Sequence, residues 1–172
     1  MGRNARNFLA LAGLVLFSNL PAFAADPTPD CLDGTQKLQV DDQKVLGWIQ
    51  NTQKNFLARA RVDGRISQLL PDQTGHAHFL IQLGPKPSDL IEVVYNDEFG
   101  ALSHLAVGQE VEACGDYITT KNDPKLHAAA IIHWVHMSDN PGSHQSGYLK
   151  IDGLVYGLDL PANNQNHHPN HP

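Results

Sequence analysis

The chain has only two cysteines, two tryptophans and two methionines in 172 residues. It also lacks the short motifs of several large enzyme classes. No Gly-x-x-x-x-Gly-Lys loop is present to cradle phosphates, and no glycine run to receive a dinucleotide. Neither His-Glu-x-x-His, Gly-x-Ser-x-Gly nor Cys-x-x-Cys occurs. These absences disfavour nucleotide hydrolysis, redox cofactors, zincin proteolysis and α/β-hydrolase chemistry. Basic residues are few, 12 Lys and Arg against 18 Asp and Glu. A negative surplus repels phosphate backbones and anionic membranes, so bulk nucleic-acid binding is not expected. Long apolar runs are missing as well. The one apolar stretch, residues 8–17, is shorter than the roughly 20 residues of a spanning helix.

That stretch has the grammar of a secretory signal. Arg3 and Arg6 precede it, Pro21 follows, and Ala22-Phe23-Ala24 places small residues where a signal peptidase reads. Residues 1–24 are therefore predicted to be a cleaved signal peptide, giving a periplasmic or extracellular protein with no membrane span. A lipoprotein is disfavoured, because Thr28-Pro29-Asp30 precedes Cys31. Cleavage leaves 148 residues, enough for one domain, with ten basic and 18 acidic side chains and a net charge of −8. In an oxidising compartment Cys31 and Cys114 have one possible pairing. The expected bridge staples an N-terminal arm to the domain; two free buried thiols are the alternative.

The arm, residues 25–40, is rich in Asp, Pro and Gly and is read as irregular. Asp41 and Asp42 then cap a helix over 44–53, with Val45, Trp48, Ile49 and Phe56 at helical spacing. Trp48 reads as packing. From Ala58 the period becomes two: Ala58, Ala60, Val62, Gly64 and Ile66 share one face, and Arg59, Arg61, Asp63 and Arg65 the other. Further strands are read at 76–83, 90–95, 109–118, 127–137 and 148–156, with a short helical or turn segment at 101–105. Residues 161–172 are almost wholly Asn, Gln, His and Pro and are expected to be a disordered tail. Short strands with turn signals and a glycine-interrupted first strand favour a mainly β fold, a five-stranded oligonucleotide/oligosaccharide-binding (OB)-like barrel with an N-terminal helix over 41–160.

Several residues along 58–156 carry a likeness. They are Val62-Asp63-Gly64-Arg65-Ile66, His76 with Phe79, Asn96, and Gly108, Val111, Gly115, Asp116 and Tyr117. Ile132-His133-Trp134-Val135-His136, His144 and Gly147-Tyr148 complete the set. Together they resemble a secreted bacterial family known as domain-of-unknown-function family 3465. Asp116 stands where that family has Glu, Tyr148 where it has Trp, and Tyr95 where it often has His. The resemblance implies an exported, OB-like protein with no established activity.

Histidine is the conspicuous excess. Seven fall within the domain: His76, His78, His104, His127, His133, His136 and His144. Three more, His167, His168 and His171, fall in the tail, where they could catch a metal weakly. Imidazole is both the neutral-pH acid–base group and the commonest metal ligand. His76 and His78 share a strand face, about 7 Å apart. They suit either a chelate or a wet surface. His133 and His136 are three apart, so an unbroken strand sends them to opposite faces. They converge only if the strand ends or bulges between them. The candidate site is His76, His133, His136 and His144, with Asn96 and Asp116 as orienting hydrogen-bond partners and Tyr117 as a stacking ring. Trp134 shares the parity of Ile132 and reads as core. Arg59, Arg61 and Arg65 form either an anion cradle or a face balanced by nearby acids.

Three functions fit this pattern. The leading one is an exported binding module for a small ligand, an oligomer or an extracytoplasmic protein. The second is a histidine- or metal-dependent phosphodiesterase or nuclease. The third is a carrier of a divalent metal such as Zn. Convergence of the imidazoles is the geometric fact that decides whether a site exists.

Overall fold

In the computed structural model residues 26–51, 56–72, 74–119, 126–138, 140 and 142–159 are described. The predicted signal segment and the His/Asn/Pro tail lie outside them. The chain runs β1 (Leu32–Asp33), β2 (Gln36–Lys37), α1 (Asp42–Asn51), β3 (Leu57–Leu69), β4 (His76–Gln82) and β5 (Leu90–Asn96). After a 3-10 turn at Asp97–Phe99 come β6 (Glu110–Thr119), β7 (Ala130–His133), β8 (Tyr148–Ile151) and β9 (Leu154–Tyr156).

The fold is mainly β, built on a closed five-stranded barrel with one helix. The ring of neighbours is β3, β4, β5, β7, β6 and back to β3. All these pairings are antiparallel except β5 with β7, which is parallel. This circuit is the OB arrangement. Closure depends on β3, which is long enough to pair with β6 through residues 57–65 and with β4 through residues 65–69. Its bend falls at Gly64, where a Cβ would sit 2.4 Å from the Gln82 carbonyl oxygen, and a register shift follows between Ile66 and Gln68. The alternating pattern sends Val62, Ile66, Phe79, Ile81, Ile91, Val93, Tyr117 and Ile132 into one core.

Helix α1 packs against that core. Asp41 is its N-cap, its Oδ1 accepting the Lys44 backbone N–H at 3.0 Å. Val45 and Leu46 are buried. Trp48 packs with Phe56 and Tyr117 at ring-centroid distances of 5.3 and 5.2 Å, so it is a packing residue as expected. The first helical residue carries a cost. Burial pushes the Asp42 carboxyl up to about 7, and the nearby Asp63 and Asp41 add to the rise. A carboxyl raised in the fold stabilises fully below its unfolded pKa, and the benefit is lost as pH climbs through the folded value. Asp42→Asn keeps an oxygen for the Asp63 N–H it caps. It is therefore expected to raise Tm at pH 8 and to leave it unchanged near pH 4, as measured by thermal melts at both values.

Some elements differ from the sequence reading. The arm carries the small β1–β2 hairpin, turned at Gly34 with φ 59°. The last strand is two, β8 and β9, joined at Asp152-Gly153, both with positive φ as a tight hairpin requires. The helical segment after β5 lies at Asp97–Phe99, and the 101–105 stretch, read as helix or turn, holds a turn at 103–104. Asn96 caps it by accepting the Glu98 N–H, and the Tyr95 hydroxyl donates to the carbonyls of Phe99 and Gly100. The fifth barrel strand, expected over 127–137, stops at His133.

Cys31 and Cys114 are bonded, with Cα atoms 5.6 Å apart. Beside them the buried Arg59 ties three segments together. Its Nε donates to Leu32 O at 3.0 Å, Nη1 to Asp116 at 2.8 Å, and Nη2 to Ser146 O.

Candidate histidine site

Strand β7 ends because Trp134 adopts a left-handed backbone, φ 57°. For a non-glycine residue that costs about 1–2 kcal/mol. The turn breaks the two-residue alternation. His133 faces outward, Val135 enters the core, and His136 is folded under at the barrel end. The parity objection to a shared His133–His136 site is removed at this one residue. Trp134 itself turns outward, 36 % exposed, and is not core as its parity suggested.

The segment fits because glycines face it. A Cβ on Gly115 would lie 2.4 Å from His133 O, one on Gly147 2.3 Å from Trp134 O, and one on Gly157 2.7 Å from Val135 O. Backbone hydrogen bonds fasten it, from Gly147 N to His136 O at 2.7 Å and from Met137 N to Gly157 O at 2.6 Å.

The four predicted imidazoles converge there. His76, the first residue of β4, lies 6.3 Å from His133, centroid to centroid. His136 and His144 are 5.1 Å apart and nearly perpendicular. Trp134 sits among them, stacked on His144 at 4.4 Å and tilted against His133 at 4.3 Å. Phe99 forms the floor, stacked on His136 at 3.6 Å.

Three of the rings are held by the main chain. Nδ1 of His76 meets Thr74 O at 3.1 Å, Nδ1 of His136 meets Met137 O at 2.8 Å, and Nδ1 of His144 meets Gln145 O at 3.0 Å. A carbonyl only accepts, so each Nδ1 carries the proton. In the neutral ring the basic lone pair is then on Nε2. His133 is neutral for a different reason. Burial first, and then the neighbouring His76, His136 and His144, push it down to about 4, against a smaller opposing pull from Asp116. A depressed imidazole contributes stability that is complete above its unfolded pKa and is lost as pH falls through the folded value. The wild-type Tm is accordingly expected to fall between pH 6.5 and 4. His133→Gln should flatten that part of the curve, as read by calorimetry across the range.

The remaining expected site residues are engaged by other partners. Asn96 is opposite His76 in register, but its side chain caps the 3-10 turn. Asp116 is opposite His133 and is committed to Arg59. Tyr117 is fully buried with Trp48 and Phe56, its phenol pushed up by burial, so it offers no stacking face here. Tyr148 is likewise buried, beside the disulfide. The arginine stripe is neutralised across the strand pair: Arg59 by Asp116, Arg61 by Glu112 and Arg65 by Glu110. His78 shares the outer face of β4 with His76 but turns to Glu92 at 2.7 Å. Phe99 and the buried Glu92 gave no sequence signal as functional residues.

Among the described residues, no three His, Cys, Asp or Glu side chains are arranged to hold one metal ion. The cluster offers pairs. Two imidazoles on one tetrahedral ion, with metal–nitrogen bonds of about 2.0–2.1 Å, have centroids roughly 5 Å apart. His136 and His144 match that separation. Among the described residues no helix is long and apolar enough to cross a membrane. Compared with known family models, curated proteins and solved structures, the chain matches none.

Proposed function

We propose that the protein is an exported OB-like binding module whose ligand is a divalent transition-metal ion, taken by imidazole pairs of the cluster around Trp134. The observation that carries this reading is the 5.1 Å separation of His136 and His144, both with Nδ1 engaged by a carbonyl. Carbonyl-fixed tautomers are the usual support of metal-binding histidines. A neutral His133 beside them adds no repulsion to an incoming cation. With two protein donors, water completes the coordination, which suits Zn²⁺ or Cu²⁺ and a reversible, exchangeable ion. The Ile132-His133-Trp134-Val135-His136 block that supplies the turn is also the strongest part of the likeness to the secreted family, and this reading takes the chain as a member of it.

The phosphodiesterase reading draws less support. Each arginine that would hold a phosphate is paired with a carboxylate. An imidazole with a pKa near 4 is also a weak general base at neutral pH.

Titration calorimetry with Zn²⁺ on untagged mature protein tests the proposal. Saturable binding is expected near one ion per chain, and it should survive deletion of residues 161–172. His144→Ala should weaken it at least about tenfold, the loss of one of two donors. Binding that disappears with the tail, or that is indifferent to His144→Ala and His136→Ala, would falsify the assignment.

A further inference from the structure

The arm hairpin and the loop that carries His144 meet through one side chain. Gln145 Oε1 accepts the Gly34 backbone N–H at 2.9 Å, and Gln145 Nε2 donates to the Gly34 carbonyl at 3.0 Å. Both bonds demand the same orientation of the amide, since a backbone N–H only donates and a carbonyl only accepts. We infer that Gln145 is the positioning residue of His144, and that the stapled arm is the fixed support it works from. Its part in metal binding rests on the zinc reading above; the placement of the ring does not.

Gln145 acts on His144 through its own main chain. The Gln145 carbonyl is the acceptor of the His144 Nδ1–H at 3.0 Å. Where that carbonyl points depends on the Gln145 backbone, and the side-chain amide anchors that backbone at a second point. One residue thus supplies the acceptor that sets the tautomer and the tie that holds the acceptor. Contacts of this kind orient imidazoles that bind metal. The other ties of the loop do not do this work. After Gln145, Ser146 is held by Arg59 and by the Ser138 N–H, and Gly147 N–H donates to His136 O. Before His144, Gly142 and Ser143 bond back to Asn140 within the same loop. Trp134 stacks on the ring at 4.4 Å. A stack fixes the plane of a ring but lets it slide, and a directional hydrogen-bonded anchor removes that freedom.

The support is itself fastened. Strands β1 and β2 have two residues each, too few to stand alone. Cys31, just before β1, is bonded to Cys114, and Leu32 O accepts from Arg59 Nε. Gly34 lies in the turn, outside the Leu32–Lys37 and Asp33–Gln36 pairs, so its N–H and C=O are available to Gln145. A Cβ on Gly34 would meet nothing within 4 Å, so its glycine answers to the left-handed φ of 59° and not to crowding.

The variant Gln145→Met keeps the length of the side chain and removes both bonds. Proton NMR of the mature full chain reads the consequence without metal. The His144 ring protons lie against the Trp134 indole and should be shifted upfield in wild type. In Gln145→Met they should move toward the positions of free histidine, while those of His76 stay in place. Both lost bonds are exposed, so Tm should change by no more than about 3 °C. Zn²⁺ affinity should fall about fivefold, less than a direct outer contact costs, because Gln145 reaches the ring through its backbone. His144 signals that do not move, or that move together with those of His76, would overturn the positioning role whatever the ion does. Unchanged Zn²⁺ affinity in a chain whose His144 has moved would overturn its part in metal binding. A wild-type chain that takes up no Zn²⁺, with the His144 shift present and lost in Gln145→Met, would sink the zinc reading and uphold this one.

Discussion

Gly147→Ala is expected to lower stability by about 3 kcal/mol, the upper end for overpacking a rigid site. For a domain of this size that is a drop in Tm of roughly 10 °C. The added methyl would lie 2.3 Å from Cys114 O and 2.3 Å from Trp134 O. Both are main-chain atoms, so no side chain can swing aside. Cys114 belongs to β6, paired to β3 on one side and β8 on the other and anchored by the disulfide. The Trp134 turn is the freer of the two and has to move. Stability and the site should therefore fail together, with the variant losing Zn²⁺ affinity as well as Tm. Gly47→Ala is the control. Its methyl meets nothing within 4 Å, and it lies inside α1. That substitution should gain up to about 1 kcal/mol. A Gly147→Ala protein that melts with wild type would mean that the strand end is not held as described.

Removing the bridge should cost more. The bond between Cys31 and Cys114 closes 83 residues of chain, and the entropy it removes from the unfolded ensemble corresponds to about 4 kcal/mol. The folded side adds to the case. Cys31 and Cys114 are both fully buried with Tyr148, and the Arg59 guanidinium beside them touches Cys114 Sγ at 3.4 Å. Arg59 also reaches Leu32 in the arm and Ser146 in the loop that carries His144. Losing the bridge should thus release the arm and loosen one wall of the histidine site. In denaturant melts, Cys31→Ala/Cys114→Ala should match wild type under reductant, both about 4 kcal/mol below the oxidised protein. A difference under 1 kcal/mol would contradict the staple.

The barrel was legible because its strands obey their period. Ala60, Val62 and Ile66 alternate with charged residues, and the structure buries the expected face. The bend at Gly64 was legible for the same reason, since a glycine inside a strong strand pattern marks close backbone approach. The two cysteines left one pairing. Side-chain convergence was harder to read. Parity placed His133 and His136 on opposite faces and Trp134 in the core, and the left-handed turn at Trp134 reversed both. Nothing local in an aromatic residue announces positive φ. The signal lay in distant partners, Gly115, Gly147 and Gly157, whose missing side chains make room for the turn. Asn96 and Asp116 stand opposite His76 and His133 in register, but position along a strand does not say which neighbour claims a polar atom. Asn96 went to a cap, Asp116 to an arginine and Tyr117 to the core. His78 looked like a twin of His76. Its commitment to Glu92 depends on a cross-strand neighbour.

Ring-nitrogen NMR reads the decisive quantity directly. In long-range ¹H–¹⁵N spectra at pH 7, His76, His136 and His144 should each show a protonated Nδ1. His133 should remain neutral until the pH approaches about 4. One equivalent of Zn²⁺ should then shift the Nε2 signals of His136 and His144 while their Nδ1 protons stay in place. Rings protonated at Nε2 instead, or zinc-induced shifts confined to His167, His168 and His171, would contradict it.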